Sequence, residues 1–394
     1  MILENLRLIP GTTTVKLTAD VSSLHFGQVP LWAEVDEQYA FALTSENYNA
    51  FLVALLYPAM YVGEDIHVKG AVSAKLLFNI QNYLIPLIRT YTPHCKKIKI
   101  TADRTVTSLP GKERHIGTGY SAGVDSLCTI YDHLVLEENP AYRLDTLVFL
   151  NTGSHGTYAD PSTEPKFRAR YEYLKKTAPL PFIAVNTNIH QFHKLTAHRN
   201  HRRTVTFTSA AGVLVLEKYF STYYVASSMS YKESILFGKN RLNKCTEAFD
   251  AILLPLLSTE TLTFIADGQQ YTRTQKVARI VDYDLSRKTL NVCVNGEEGS
   301  SKNCSYCVKC LRTLMTLDSL GKLKGFAHLF DLKMYRKYIF RYKCYLRVLY
   351  RTNPFARDNI DLARAHGKYV PSWPVAFVVN LFNRVTGRTK MFYK

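Results

Sequence analysis

Apolar positions in the first hundred residues fall into short runs. Glu4–Leu8, Thr14–Leu17 and Leu31–Glu34 read as strands, Asn47–Met60 and Ser73–Arg89 as helices, and Lys97–Thr101 as a further strand before the Pro110-Gly111 break. From Arg114 the pattern changes to strictly alternating elements. Predicted strands at Ile116–Tyr120, Thr146–Leu150, Phe182–Asn186 and Tyr223–Ala226 are separated by helical periodicity at Val124–Leu136, Phe167–Thr177 and Val205–Tyr219. A strand at Leu262–Ala266, a helix at Arg273–Val281, a strand at Thr289–Val294 and a helix running through Leu320 follow. This alternation predicts an α/β fold, a parallel sheet with helices on both faces. Three segments are expected: a small α/β unit over 1–108, the main domain over 109–320 and a helical extension over 321–394.

Composition adds little until charge is located. At 394 residues with 46% hydrophobic and 21% charged positions, the chain is an ordinary folded protein large enough for two or three units. No run approaches the ~20 apolar residues of a membrane helix. The start, MILENLRLIP, does not resemble a leader, so a cytoplasmic location is expected. The net charge of +18 is unevenly spread. Residues 321–394 hold 16 Lys and Arg against three acids, a balance of +13, which leaves +5 for the other 320 residues.

The most informative segment is Ile116-Gly-Thr-Gly-Tyr-Ser-Ala-Gly-Val-Asp-Ser126. A strand that runs through small residues into a helix directs backbone N–H groups and the positive helix end at one point, an anion site. Gly123 is expected to adopt backbone angles that a side chain would hinder. Ser121 and Ser126 add hydroxyls, and Asp125 beside phosphates calls for a bridging Mg²⁺. The Walker pattern is absent. Gly117, Gly119 and Gly123 are one residue off the dinucleotide fingerprint, and Asn151-Thr152 offers no acid for a ribose. A plain Ser/Asp helix cap is the simplest competing reading.

A second signal is Cys293-x₁₀-Cys304-x₂-Cys307-x₂-Cys310, four thiolates suited to a closed, structural Zn²⁺ site joining a strand ending at Cys293 to the helix after Cys310. An iron–sulfur cluster or free thiols are the alternatives. Cys95, Cys128, Cys245 and Cys344 read as buried small residues.

Ser121–Ser126 resembles the S-G-G-x-D-S loop of PP-loop ATP pyrophosphatases in five of six positions, with Ala122 in place of the first glycine. The resemblance implies an adenine-nucleotide α-hydrolase-like fold. It also implies that Ser121, Ala122, Gly123, Val124, Asp125 and Ser126 hold ATP, which is split into AMP and pyrophosphate. The cysteine pattern about 170 residues later, with Leu311-Arg312 behind it, is similar to the 7-cyano-7-deazaguanine synthases. A QueC-like relationship over about 114–320 implies a ligase that adenylates a carboxylate or carbonyl oxygen for attack by ammonia or an amine. The acceptor can be small or macromolecular. By the same resemblance Lys276, with Arg273 one turn earlier, serves the phosphate or carboxylate region. Asp125, Ser126 and Lys276 are the expected catalytic residues. Ile2 leaves no N-terminal amidotransferase cysteine. A thiolation-type nucleobase or tRNA enzyme and a non-catalytic nucleic-acid-binding module with a relic loop remain open.

Other positions carry weaker signals. His155, after the second predicted strand of the main domain, is a candidate ligand contact. His190, His193, His198 and His201 lack metal spacing. Residues 333–351 interleave Lys and Arg with Tyr and Phe, which suits an amphipathic core helix, a nucleic acid or acidic partner, or an anionic membrane surface. The sequence leaves the oligomeric state open, a homodimer included.

Overall fold

The computed structural model describes residues 1–108, 114–153, 163–193, 201–240, 245–293 and 302–387, excepting the side chains of 201 and 236–240. Ten strands form one sheet: β1 (Ile2–Pro10), β2 (Thr14–Ser23), β3 (Gly27–Asp36), β4 (Ile66–Ser73), β5 (Ile100–Val106), β6 (His115–Gly119), β7 (Thr146–Asn151), β8 (Phe182–Thr187), β9 (Phe220–Ala226) and β10 (Thr263–Asp267). Their spatial order is β10-β9-β6-β7-β8-β3-β2-β1-β4-β5. The five strands β6 to β10 are mutually parallel.

The N-terminal strands extend that same sheet. β3 pairs antiparallel with β8 through Ala33↔Thr187 and Glu34↔Asn186, and Trp32 N donates to Asn188 Oδ1 at 2.8 Å. Successive side chains of a strand point to opposite faces, and both faces of the centre are covered. Val148, Ile183 and Val185 enter one apolar core, while Leu147, Phe149, Phe182 and Ala184 enter the other. The first core also contains α1 (Asn49–Val62) and the N-terminal strands.

The second core gathers α2 (Val124–Ile130, continued by a π-helical turn to Leu136), α3 (Thr163–Lys175) and the later helices. These are α5 (Arg273–Ile280), α6 (Val308–Ser319), α7 (Leu332–Leu349) and α8 (Pro354–Ala365); α4 (Val205–Leu214) lies in the first core. A last helix, α9 (Trp373–Val385), packs on α7. In α7, Tyr335, Tyr342, Cys344 and Leu346 turn inward while Lys333, Arg336 and Lys337 face water, so part of the aromatic stripe is core. No helix among the described residues is long and apolar enough to cross a membrane.

Two sequence expectations fail for identifiable reasons. Thr289–Val294 is not a strand as far as Cys293. A helix runs over Asp284–Thr289, and the next residues give their backbone groups to a side chain and a loop. Asn303 accepts from Val292 N at 2.8 Å and donates to Leu290 O at 3.0 Å, and Asn291 N donates to Ala122 O at 2.8 Å. Lys97–Thr101 begins too early, because β5 starts at Ile100 and runs on to Val106. One strand was not foreseen. β4 carries a register break between Val68 and Ala71 around Gly70, which interrupts the alternation that would announce it.

Candidate active site and metal centre

The order β8-β7-β6-β9-β10 is the doubly wound 3-2-1-4-5 arrangement. After β6 the chain adds strands on one side, and after β8 on the other. Ligands of such sheets bind where the order reverses, outside the carboxyl ends of the two central strands. The turn 120–123 leaves β6 at that point, and Ser227–Ser230 leaves β9 beside it.

The turn is tightly built. Ala122 has φ +58 and is fully buried, so the left-handed residue is Ala122, not Gly123, which has φ −79 and ψ 165 as the helix N-cap. The expected freedom of Gly123 is thus not what the turn uses; glycine would suit position 122. Ser121 Oγ and Ser126 Oγ lie 3.2 Å apart, Gly123 N donates to Ser121 Oγ at 3.3 Å, and Arg170 donates to Ser121 O at 3.0 Å. The N–H groups of Val124, Asp125 and Ser126 precede the first intrahelical bond, from Leu127 N to Gly123 O at 3.0 Å.

Asp125 is one-fifth exposed and faces two cations. One carboxylate oxygen accepts from Arg273 and the other from Lys276 Nζ at 3.2 Å. Burial disfavours its charge, but Arg273 and Lys276 override that and hold the carboxyl down at about 2. Lys276 is 1% exposed and also donates to Ser227 O at 2.5 Å, which ties the two crevice turns together. The spacing of Arg273 and Lys276 on α5 brings both to one carboxylate, 148 and 151 residues away in sequence.

Sequence reasoning missed the other half of this charge cluster. Lys309 and Arg312 have the same i, i+3 spacing on α6, which packs against α5. Burial and repulsion from Arg273 lower the pKa of both, and Lys309 is also repelled by Arg312. Lys309 remains open to water although protein surrounds it, the situation of a group lining a cleft. The Arg312 guanidinium stacks over Phe355 of α8 at 4.6 Å, and its Nε has no hydrogen-bond partner. Asp358 of the same helix accepts from Thr272 Oγ1 at 2.9 Å and Thr274 N at 3.0 Å, fixing the start of α5. Arg273 and Lys276 thus pair Asp125 directly, and Lys309 and Arg312 lie near enough to feel the charges of Arg273 and Asp125.

Further polar groups lie at this end of the sheet. Asp250 accepts from Thr206 Oγ1 at 2.7 Å and Ser227 Oγ at 3.2 Å, and burial pushes its carboxyl up to about 8. Gln269 and Glu233 are buried; Tyr231 N donates to Gln269 O at 2.8 Å, and Ser230 N donates to Glu233 Oε2 at 2.6 Å. Among the described residues both polar atoms of the Gln269 amide, and Oε1 of Glu233, lack a partner. Burial raises the pKa of Glu233.

The four cysteines meet as the spacing predicts. Their sulfurs lie within 4.8 Å of one another, with Cys304 and Cys310 Sγ 3.9 Å apart. Four thiolates ~2.3 Å from one central ion stand about 3.8 Å apart, so the cluster could hold a single metal ion such as zinc. The inorganic sulfides and several irons of a larger cluster need more room between the thiols. Cys304 N donates to Cys293 Sγ and Cys307 N to Cys304 Sγ, each at 3.4 Å, the second-sphere contacts of a thiolate site. Cys293 ends an irregular segment, and the helix begins at Val308, before Cys310, with Cys307 as its N-cap.

Comparison with protein-family models, curated proteins and solved structures found no match. His155 and His198, and the side chain of His201, lie outside the described residues. His190 and His193 are buried, and His193 Nε2 sits 3.0 Å from Ala54 O of α1.

Proposed function

We propose that this chain is an ATP-dependent ligase of the PP-loop type, joining AMP to a carboxylate or carbonyl oxygen and releasing pyrophosphate. The carrying observation is that Arg273 and Lys276 pair Asp125 in the first turn of the helix at the sheet's switch point, with Lys309 and Arg312 near enough for Arg273 to repel them. Cations gathered at the cost of their own desolvation and mutual repulsion are matched by a polyanion, and a triphosphate supplies one.

In this reading Ser121, Ser126 and the N–H groups of Val124 to Ser126 cradle phosphate oxygens. Arg273 and Lys276 shift part of their pairing from Asp125 to the phosphates, which frees a carboxylate oxygen for magnesium. Bound there, Mg²⁺ would neutralise the leaving pyrophosphate. The acceptor oxygen attacks the α-phosphorus, the α–β bridge breaks and pyrophosphate leaves. Ammonia or an amine then adds to the activated carbon and expels AMP, giving an amide and a proton. The amide of Gln269 and the carboxyl of Glu233, whose charge burial disfavours, suit the polar edge of the acceptor. A deazaguanine carboxylate is the acceptor suggested by the sequence resemblance.

Zinc is the ion we assign to the cysteine cluster, in a structural role. All four ligands come from the chain, which leaves no open position for substrate. A thiolation chemistry would instead call for iron or a persulfide.

The test is to incubate the protein with ATP, magnesium, ammonia and candidate carboxylates labelled with ¹⁸O. AMP carrying one ¹⁸O is the expected product. Formation of ADP, or no ATP uptake by calorimetry in magnesium buffer, overturns the reading.

A further inference from the structure

Helix α9 is amphipathic the wrong way round. The residues it buries are Ala376, Asn380 and Asn383, small or polar, whereas Trp373, Phe377, Val378, Leu381, Phe382 and Val385 face outward. Val378 is 65% exposed, Leu381 53% and Val385 81%. At 3.6 residues per turn these outward positions form one continuous stripe along a 13-residue helix, about 20 Å long. Single exposed apolar side chains are ordinary on protein surfaces. A whole helical face of them, opposite a polar buried face, is an interaction surface.

Charge identifies the occupant. No acid follows Asp361, while residues 366–394 carry Lys368, Arg384, Arg388, Lys390 and Lys394, within a region whose balance is +13. A second copy of the chain would bring two such acid-free basic segments together, which like-charge repulsion opposes. A nucleic acid matches the charge but offers little to Val378, Leu381 and Val385, aliphatic side chains that cannot stack on bases. An anionic bilayer surface matches both features, since acyl chains accept the aliphatic stripe and lipid headgroups the cations. Trp373 at the helix start is a residue type that favours the boundary between them.

We propose that α9 lies in the plane of an anionic lipid surface and holds the enzyme there. The inference stands on α9 and the charge of its flanks and does not depend on the ATP reading. It predicts a peripheral attachment, in keeping with a helix too short to span a bilayer.

The experiment is co-sedimentation of the full chain with phosphatidylcholine vesicles and with phosphatidylcholine–phosphatidylglycerol vesicles, run beside a Val378→Glu, Leu381→Glu double variant. Both side chains are exposed, so the variant should keep the wild-type melting temperature. Expected results are binding to the phosphatidylglycerol vesicles alone, weakening with added salt, and a loss of at least about tenfold in the variant. No binding to either vesicle by folded protein overturns the proposal. So does equal binding to neutral vesicles. A dimer in analytical ultracentrifugation that the variant dissociates would assign the face to a second copy, and a duplex that competes the protein off the vesicles would assign it to nucleic acid; either result also overturns it.

Discussion

Asp125→Asn tests the electrostatic core of the site. The substitution keeps size and removes charge, leaving Arg273 and Lys276 facing each other without their shared anion. Asp125 titrates at about 2 against an ordinary 3.8, so its ionised form is favoured in the fold by about 2.4 kcal/mol at 1.36 kcal/mol per unit. Breaking a buried pair by removing one partner costs about 3–5 kcal/mol in other proteins. With an unfolding entropy of ~2.1 cal/mol/K per residue over 394 residues, that range corresponds to a fall of about 4–6 °C in melting temperature at pH 7. The pH dependence has a definite sign. Because the folded-state pKa is depressed, the stabilisation is present above 3.8 and is lost as pH falls toward about 2. Wild type and variant should therefore converge in that window. Without magnesium, pyrophosphate should restore the variant's melting temperature at least as strongly as it raises wild type, because the ligand supplies the missing anion. Turnover should be abolished. Thermal scans with and without pyrophosphate, across pH, make the measurement. A variant within about 0.5 kcal/mol of wild type at pH 7, or a gap unchanged at acid pH, would refute the charge assignment.

Three further outcomes follow from the same geometry. Arg312→Met should leave the melting temperature unchanged or raised while weakening ATP binding at least about tenfold by calorimetry, since its charge has no carboxylate partner to lose. Asp250→Asn should remove a pH dependence: with the folded pKa raised to about 8, wild-type stability is full below 3.8 and declines as pH rises to about 8, whereas the variant stays flat in denaturant titrations. Chelation should release one zinc per chain by elemental analysis, lower the melting temperature and suppress ATP turnover together; full activity in metal-free protein would contradict the structural role.

What the sequence disclosed was mostly local. The strand–turn–helix at Ile116–Ser126 and the cysteine spacing each lie within a few tens of residues, and their geometry follows from residue type. The i, i+3 spacing on α5 announced that Arg273 and Lys276 share a face, but nothing in a linear chain says that Asp125 meets it. The same spacing at Lys309 and Arg312 was equally visible, yet hidden inside the cysteine motif. Segment 1–108 looked like a unit with its own pattern, and the pairing of β3 with β8 that fuses it to the main sheet depends on two short registers far apart in sequence. α9 kept its secret for a different reason. Apolar periodicity identifies a helix face without saying whether protein or something else covers it.

The cysteine cluster and the turn 120–123 are parts of one device. The segment 290–293 has no strand of its own because it braces the turn, Asn291 N holding Ala122 O, and ends at the first cysteine. Asn303, directly before the second cysteine, holds Val292 N and Leu290 O in that shape. From Cys307 the chain enters α6 at once, and its first turn and a half carries Lys309 and Arg312 within electrostatic reach of Arg273 and Asp125. A metal at the four sulfurs thus fixes both the loop that shapes Ala122 and the helix that delivers two of the four cations. Left-handed Ala122 is a conformation that a free chain avoids by roughly 1–2 kcal/mol, so it persists only while its surroundings impose it. Loss of an ion from the cysteines should accordingly reach the proposed phosphate site from two directions, through the turn and through α6.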